Sequence, residues 1–124
     1  MEKITESAAF FNVADTLECG QIFRYERRGD KFLVHSRDKS CLAYNEGGRA
    51  VVLAEEGDGE YFYRFFDLAA DYGACYRAAK AEGGVLADAA ERGRGIRILR
   101  QDAEEALFSF IVSQNNHIPR IRKI

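Results

Sequence analysis

The chain has 124 residues, of which 47% are hydrophobic, and a formal net charge of −2. This length and composition suit one domain with its own apolar core and exclude a disordered chain. No apolar run approaches the ~20 residues of a membrane span, and the N-terminal residues lack the basic and apolar pattern of a secretory signal.

The first half of the chain is predicted to form an antiparallel β-meander. An apolar run at 8–13 is followed by segments in which apolar and polar residues alternate, separated by turns with glycine or charged residues. The predicted segments are 21–27, 31–36, 40–44 and 49–54. Because the connections are short, consecutive strands should pair with each other, so the strand order should follow the sequence.

Helical periodicity replaces this alternation after residue 59. Helices are predicted over 61–66, from an N-cap at Asp71 to a break at 83–84, over 85–92 and from Asp102 onwards. Asp102 with Glu105 three residues later forms a capping-box pattern. Pro119 suits the first turn of a further helix.

The apolar spacing over 102–124 predicts helices whose apolar sides need a partner. We therefore expect two units: an N-terminal α+β domain at 1–101 and the first helices of a second, helical unit at 102–124. A C-terminal helix that docks back on the sheet remains the alternative.

Two basic stretches stand out against the overall negative charge. Segment 92–100 contains four arginines and segment 115–124 contains two arginines and a lysine, neither with any acidic residue. Such stretches are possible binding surfaces for phosphate groups. Arginines that only keep surface helices hydrated are the alternative interpretation.

No self-sufficient active site is predicted from the residue types. The two histidines, His35 and His117, are far apart, and no Ser-His-Asp set or glycine-rich phosphate loop is present. The three widely spaced cysteines form neither a disulfide framework nor a zinc motif, which favours a reducing compartment. They are Cys19, Cys41 and Cys75.

Two stretches remain unusual. Segment 17–24 (LECGQIFR) enters a predicted strand through Gly20, where another group could approach the backbone closely. Segment 113–120 (SQNNHIPR) places polar side chains between two apolar helices, and Asn and Arg can hydrogen-bond to base edges. A β-bulge or turn at Gly20, and a simple helix cap at the asparagines, are the alternative interpretations.

These segments, in this order, resemble the N-terminal part of 8-oxoguanine DNA glycosylases. The similarity covers most of the chain and is carried by LECGQIFRY at 17–25, FDL at 66–68 with DY at 71–72, GIRILRQD at 95–102 and FIVSQNNHIPRI at 110–121. It implies a twisted antiparallel β-sheet with packed helices of the TATA-binding-protein-like type. It also implies that the first helices of an all-α helix-hairpin-helix glycosylase domain follow. No cofactor or metal is implied.

The resemblance assigns roles to individual residues. Gly20 matches the glycine whose carbonyl accepts a hydrogen bond from N7–H of 8-oxoguanine. Asn115 matches the asparagine that fills the gap left by the flipped base, and Arg120 the arginine that reads the cytosine opposite. Asn116 matches a further DNA-contacting residue of that turn. His117 stands where other members have a third asparagine.

The implied function is recognition of the lesion in base excision repair. The implied partners are double-stranded DNA with 8-oxoguanine opposite cytosine and the remaining helix-hairpin-helix domain, with no membrane. In the family a lysine attacks the sugar C1′ with the help of an aspartate, and both lie beyond the position that matches Ile124. No catalytic residue is therefore assigned, and residues 1–124 alone are expected to be inactive. A location in the cytoplasm, or in the nucleus of a eukaryote, is expected.

Two alternatives remain open at this point. The chain could be a free-standing module that binds DNA or a protein partner without catalysis. It could also be the N-terminal part of a glycosylase for alkylated bases, because those enzymes have a similar architecture.

Overall fold

The structure is a computed structural model that describes residues 1–113. The strands are β1 (Glu2–Ser7), β2 (Tyr25–Arg28), β3 (Lys31–Ser36), β4 (Lys39–Glu46) and β5 (Arg49–Ala54). The helices of this part of the chain are α1 (Val13–Glu18), α2 (Gly59–Phe65), α3 (Tyr72–Glu82), α4 (Gly84–Arg92) and α5 (Ala103–Ser113). The fold is α+β, as predicted.

All five strands belong to one antiparallel sheet with the order β1-β5-β4-β3-β2. Strands β2 to β5 are the predicted meander, and β3 and β5 have the predicted bounds. Strand β1 was not predicted, because its sequence EKITES is largely polar, which is typical of an exposed edge strand. It pairs with β5, so the strand order departs from the sequence at this edge.

The apolar run at 8–13, which precedes the predicted strands, does not form a strand of the meander. Residues Ala8–Phe10 form a 3₁₀ turn, and α1 begins at Val13. The side chain of Asn12 accepts a hydrogen bond of 2.9 Å from the backbone N–H of Asp15, which satisfies a donor in the first turn of α1. This cap favours a helix that begins at Val13.

The core lies between one face of the sheet and the helices. Aromatic rings from α2 and its C-terminal end pack edge to face, with centroids 5.8 Å apart for Phe62 and Phe65 and 5.0 Å apart for Phe65 and Phe66. The ring of Phe11 packs at a tilt against that of Phe66, with centroids 5.3 Å apart. All four rings are buried, as are Leu17 of α1 and several residues of each of β3 to β5.

The predicted caps of the later helices are confirmed. The side chain of Asp71 accepts a hydrogen bond from the backbone N–H of Ala74 at 3.0 Å, and that of Asp102 accepts one from Glu105 at 3.2 Å. Gly83 has a φ of +69° and separates α3 from α4, as expected for a glycine break. The helix predicted from Pro119 lies outside the described residues.

Candidate functional site

The candidate site is built on the loop 19–24 between α1 and β2. Gly20 does not enter a strand directly, since β2 begins only at Tyr25. It follows Cys19, the C-cap of α1, and has a φ of +96°. A left-handed glycine after a helix is a common way to end the helix. The helix terminus, and not a β-bulge, is therefore the structural reason for glycine at this position.

Space is open around Gly20. The residue is exposed, and a Cβ added there would meet no atom within 4 Å. The positive φ would strain any other residue, although no neighbouring group would clash with it. The backbone at Gly20 is therefore accessible to a ligand, while its conformation depends on glycine.

The loop is held in place by Gln21. Its side-chain nitrogen donates to the carbonyls of Thr16 at 3.1 Å and Arg97 at 2.7 Å, and its side-chain oxygen accepts from the N–H of Leu99 at 3.0 Å. The side chain of Gln101 donates to the carbonyl of Gln21. The amide is thus used from both ends, and Gly20 is adjacent to a residue with a fixed geometry.

Two buried side chains and a close backbone contact complete this support. Leu17 and Ile22, on either side of Gly20, are 0% and 4% exposed. The hydroxyl of Thr16 donates to the carbonyl of Gly95 at 3.1 Å and accepts from the N–H of Arg97 at 3.2 Å. A Cβ on Gly95 would lie 2.5 Å from that of Asn12, so glycine allows segment 93–101 to approach α1. The loop bearing Gly20 therefore rests on segment 93–101.

Arg97 is not part of a phosphate-binding surface, one of the two interpretations that the charge pattern left open, and it is not a surface arginine either. Its residue exposure is 4%. The guanidinium donates to the carbonyl of Asp67 at 2.8 Å and lies over the rings of Tyr72, at 4.4 Å, and Phe11, at 5.3 Å. Its Nε is buried without a hydrogen-bond partner among the described residues. The charge is stabilised by aromatic faces and one carbonyl, which is a packing role.

Arg94 and Arg100 are also engaged within the domain. Arg94 lies over Tyr76 at 5.1 Å and donates to the carbonyl of Ala9 at 3.2 Å. Arg100 pairs with the carboxylate of Asp67 at 2.8 Å. Three of the four arginines of segment 92–100 thus connect parts of the fold. Arg92, Arg94 and Arg100 are exposed, and Arg97 is buried.

Asp67 is the acidic partner of this arrangement, and it has a φ of +55°. Burial disfavours its charge, but hydrogen bonds from Arg100 and from the hydroxyl of Tyr72 outweigh this effect and lower the pKa of Asp67. The Tyr72 hydroxyl, 2.7 Å from Asp67, accepts in turn from the N–H of Ile98 at 3.0 Å. These bonds attach segment 97–100 to the start of α3.

Charged side chains connect the start of α5 to the sheet edge. Arg37, in the turn between β3 and β4, bonds Asp102 through two guanidinium nitrogens at 2.9 and 2.8 Å. Arg24 bonds the carboxylate of Glu105 at 2.7 Å. The N–H of Glu105 and the guanidinium of Arg37 hold the pKa of Asp102 below its usual range. The carboxylates of Asp102 and Glu105 thus connect the start of α5 to arginines that flank β2 and β3.

An open groove of about 910 Å³ lies between this edge of the sheet and α5. Its walls include Phe23 and Tyr25 on one side and Phe108 and Val112 on the other. On α5, Leu107, Phe108 and Ile111 are 60%, 64% and 56% exposed. Within residues 1–113, α5 therefore presents a largely uncovered apolar surface.

Of the predicted site residues, Gly20 lies within the described part of the chain. Asn115, Asn116, His117 and Arg120 lie outside the described residues. Residues 1–113 contain no group of three or more His, Cys, Asp or Glu residues arranged to hold a metal ion, and no helix among them is long and apolar enough to cross a membrane.

Comparison with known proteins connects this arrangement to a family. The model of the family described as 8-oxoguanine DNA glycosylase, N-terminal domain, matches residues 3–107. The chain belongs to this family. The match includes the Gly20 loop and its support at 93–101.

Solved structures of 8-oxoguanine glycosylases have the same fold. MBOgg1 in complex with a low-affinity DNA ligand is 36% identical, with a TM-score of 0.84 over 98% of this chain and 43% of that one. The apo form of the Clostridium acetobutylicum 8-oxoguanine glycosylase/lyase is 32% identical, with a TM-score of 0.84 over 99% and 44%. The same enzyme with double-stranded DNA containing cytosine opposite 8-oxoG is 35% identical, with a TM-score of 0.80 over 91% and 40%. The chain spans less than half the length of these structures.

Proposed function

We propose that the chain is the lesion-contacting N-terminal part of an 8-oxoguanine DNA glycosylase/AP lyase that acts in base excision repair. Its partner is double-stranded DNA with 8-oxoguanine opposite cytosine. The observation that carries the proposal is the exposed, open and rigidly supported backbone at Gly20. Two solved relatives hold DNA, which supports the choice of partner.

Discrimination between 8-oxoguanine and guanine would depend on the single hydrogen atom at N7. The carbonyl of Gly20 accepts a hydrogen bond from N7–H of 8-oxoguanine, whereas guanine has a bare acceptor at N7 that the carbonyl repels. A fixed carbonyl discriminates better than a mobile one, because it cannot turn away from the wrong base. The side chain of Gln21 supplies that fixation through its bonds to Thr16, Arg97 and Leu99.

The polar residues of segment 113–120 would recover part of the free energy that base flipping costs. Extruding a base costs a few kcal/mol of stacking and pairing. Asn115 would fill the vacated space and Arg120 would bond the orphaned cytosine, with Asn116 and His117 beside them. No metal or cofactor enters this scheme.

Helix α5 would begin the helical glycosylase domain, which supplies the catalytic lysine and aspartate in the family. Those residues fall beyond the segment that matches Ile124. We therefore propose that residues 1–124 alone contact the lesion and do not cleave the glycosidic bond.

The test replaces each of two glycines by alanine, at positions where the backbone strain of the replacement should be equal. Gly20 and Gly57 have φ values of +96° and +90°, and neither has an atom within 4 Å of an added Cβ. Replacing either by alanine strains a left-handed residue by ~1–2 kcal/mol. We expect Gly20→Ala to reduce the preference for 8-oxoguanine over guanine, both opposite cytosine, at least fivefold in fluorescence anisotropy titrations. Gly57→Ala should retain it.

Loss of the preference in both variants would trace the effect to stability and count against the role of Gly20. Binding of the parent chain without any lesion preference would instead favour the non-catalytic binding module. An assay on the same duplexes for base release should detect no product with residues 1–124, and any product would contradict the proposed inactivity.

A further inference from the structure

Four charged residues form a connected cluster where α5 meets the sheet. Besides the two ion pairs, Arg24 donates to the carbonyl of Arg37 at 3.3 Å, and the N–H of Arg37 donates to the carboxylate of Glu105. Asp102, which caps α5, and Glu105, in the first turn of α5, are therefore both bonded to arginines that flank the strands. The side chains of Asp102 and Glu105 are 15% and 22% exposed, which is low for surface carboxylates.

Arg37 is the first residue of the two-residue turn between β3 and β4, where tight hairpins require a positive φ. Its φ is +56°, a conformation that favours glycine or asparagine in a turn. An arginine persists in such a conformation where the surrounding contacts determine it. Here the contacts are the two bonds from the guanidinium to Asp102 and the bond from the backbone N–H to Glu105.

Apolar packing contributes little to the position of α5 in the described residues. Leu107, Phe108 and Ile111 are each more than half exposed. The backbone that enters α5 is fixed by hydrogen bonds of Leu99, Arg100 and Gln101, but these attachments all precede the helix and do not set its direction. The charged cluster supplies attachment points on the first turn itself.

We propose that Arg24 and Arg37, bonded to Glu105 and Asp102, are positioning residues that set the direction of α5 relative to the Gly20 loop. Arg24 follows Gly20 by four residues in the same loop, and α5 leads into the segment that contains Asn115 and Arg120. The cluster would thereby hold the two groups of DNA-contacting residues at a fixed separation. This consequence rests on the proposed function. The cluster of Arg24, Arg37, Asp102 and Glu105 itself, called the tether below, does not.

The tether predicts a change in geometry and not in overall stability. Exposed ion pairs individually contribute little to folding free energy. Removing one pair should therefore leave the domain folded while α5 samples several directions. A distance measurement detects that change directly.

The experiment measures the distance between two spin labels by double electron–electron resonance in the 124-residue chain. One label is placed on Cys19, which is exposed and precedes Gly20, and the other on Leu107→Cys on the exposed side of α5. Cys75→Ser removes the other exposed thiol, and Cys41 is buried. We expect Arg24→Gln and Glu105→Gln each to widen the distance distribution at least twofold.

Arg28→Gln is the matched control, because it removes an ion pair with Glu26 of 3.0 Å that does not involve α5. Its distribution should equal that of the parent. The exchanged pair, Arg24→Glu with Glu105→Arg, should narrow the distribution again. Unchanged distributions in the single variants would overturn the proposal, as would a failure of the exchanged pair to restore the parent distance.

A second readout separates the tether from the proposed function. The ratio of affinities for duplexes with 8-oxoguanine and guanine should fall at least threefold in Arg24→Gln, and remain at the parent value in Arg28→Gln. If the parent shows no such preference, the proposed function fails and the distance measurement alone decides the tether. If the preference exists but is unaffected while the distance widens, α5 does not position the DNA contacts and the proposal is overturned in that part.

Discussion

The Gly20 loop and helix α5 differ in what holds them in place. The loop rests on buried groups, with Leu17 and Ile22 in the core and the amide of Gln21 bonded at both ends. Helix α5 is attached through charged residues at its first turn, while apolar residues further along it are exposed. Rigid support suits a backbone carbonyl that must distinguish two bases by the presence of one hydrogen atom. A helix with an uncovered apolar face is suited to packing against further protein.

The arginines show the same contrast. Arg97 lies inside the domain between aromatic rings, whereas Arg24 and Arg37 lie at the surface and bond to carboxylates of α5. Residue type alone does not distinguish these roles. Burial does, and it sets the order of the effects expected on substitution.

Arg97→Ala should have the largest effect. It removes a stacked guanidinium from between Tyr72 and Phe11, opens a cavity and leaves the carbonyl of Asp67 without this donor. The expected loss is about 2–4 kcal/mol of unfolding free energy, as for other buried polar contacts. Urea unfolding followed by circular dichroism would measure it, with Arg92→Ala, at an exposed position, as the control. A loss below about 1 kcal/mol would show that the packing of the Arg97 side chain between Tyr72 and Phe11 contributes little to stability.

Gln21→Ala should come next. The carbonyl of Arg97 and the N–H of Leu99 would each lose a hydrogen bond in a part-buried environment. Unsatisfied groups of this kind cost about 1–3 kcal/mol. Gln21→Glu retains an acceptor for Leu99 but no donor for the carbonyls, so it should also destabilise the domain. A Gln21→Glu variant as stable as the parent in urea would contradict the role assigned to the side-chain nitrogen.

The strands and helices could be predicted from the sequence where local patterns determine them. The strands of the meander and the caps Asp71 and Asp102 were predictable, because period-two alternation and N-cap chemistry are local signals. Strand β1 was missed because it buries no face completely. Helix α1 was also missed, although Asn12 followed by Val13, Thr16 and Leu17 has cap and helical spacing that could have indicated it.

The site was predictable only in part for a related reason. Gly20 could be selected from the resemblance, but the role of Gln21 depends on residues 76 and 78 positions away in the chain. The burial of Arg97 likewise depends on Tyr72 and Phe11, which no local pattern connects to it. Contacts between distant segments determine both roles, and a charge count along the chain does not reveal them.

Asp67 gives a smaller, pH-dependent effect. Because its pKa is lowered in the folded state, the ionised carboxylate contributes stability above its unfolded pKa of about 3.9. That contribution is lost as the pH falls below this value and through the folded-state pKa. The difference in unfolding free energy between the parent and Asp67→Asn should therefore be largest near neutral pH and shrink towards pH 3. A difference that stays constant over this range would exclude the carboxylate charge as its source.

The exposed face of α5 should give the smallest change in stability and yet a clear change in association. Leu107→Lys combined with Ile111→Lys places charges at positions that are 60% and 56% exposed, so the unfolding free energy should change by no more than about 0.5 kcal/mol per site. Contiguous exposed apolar surface favours self-association, so the parent should show a concentration-dependent increase in mass by light scattering that the double variant lacks. Tyr63→Lys, at a position that is 39% exposed on α2, is the control for added charge. A parent that stays monomeric at all concentrations would show that this face does not drive association, and a large loss of stability in the double variant would show that α5 packs on the domain more closely than its exposure indicates.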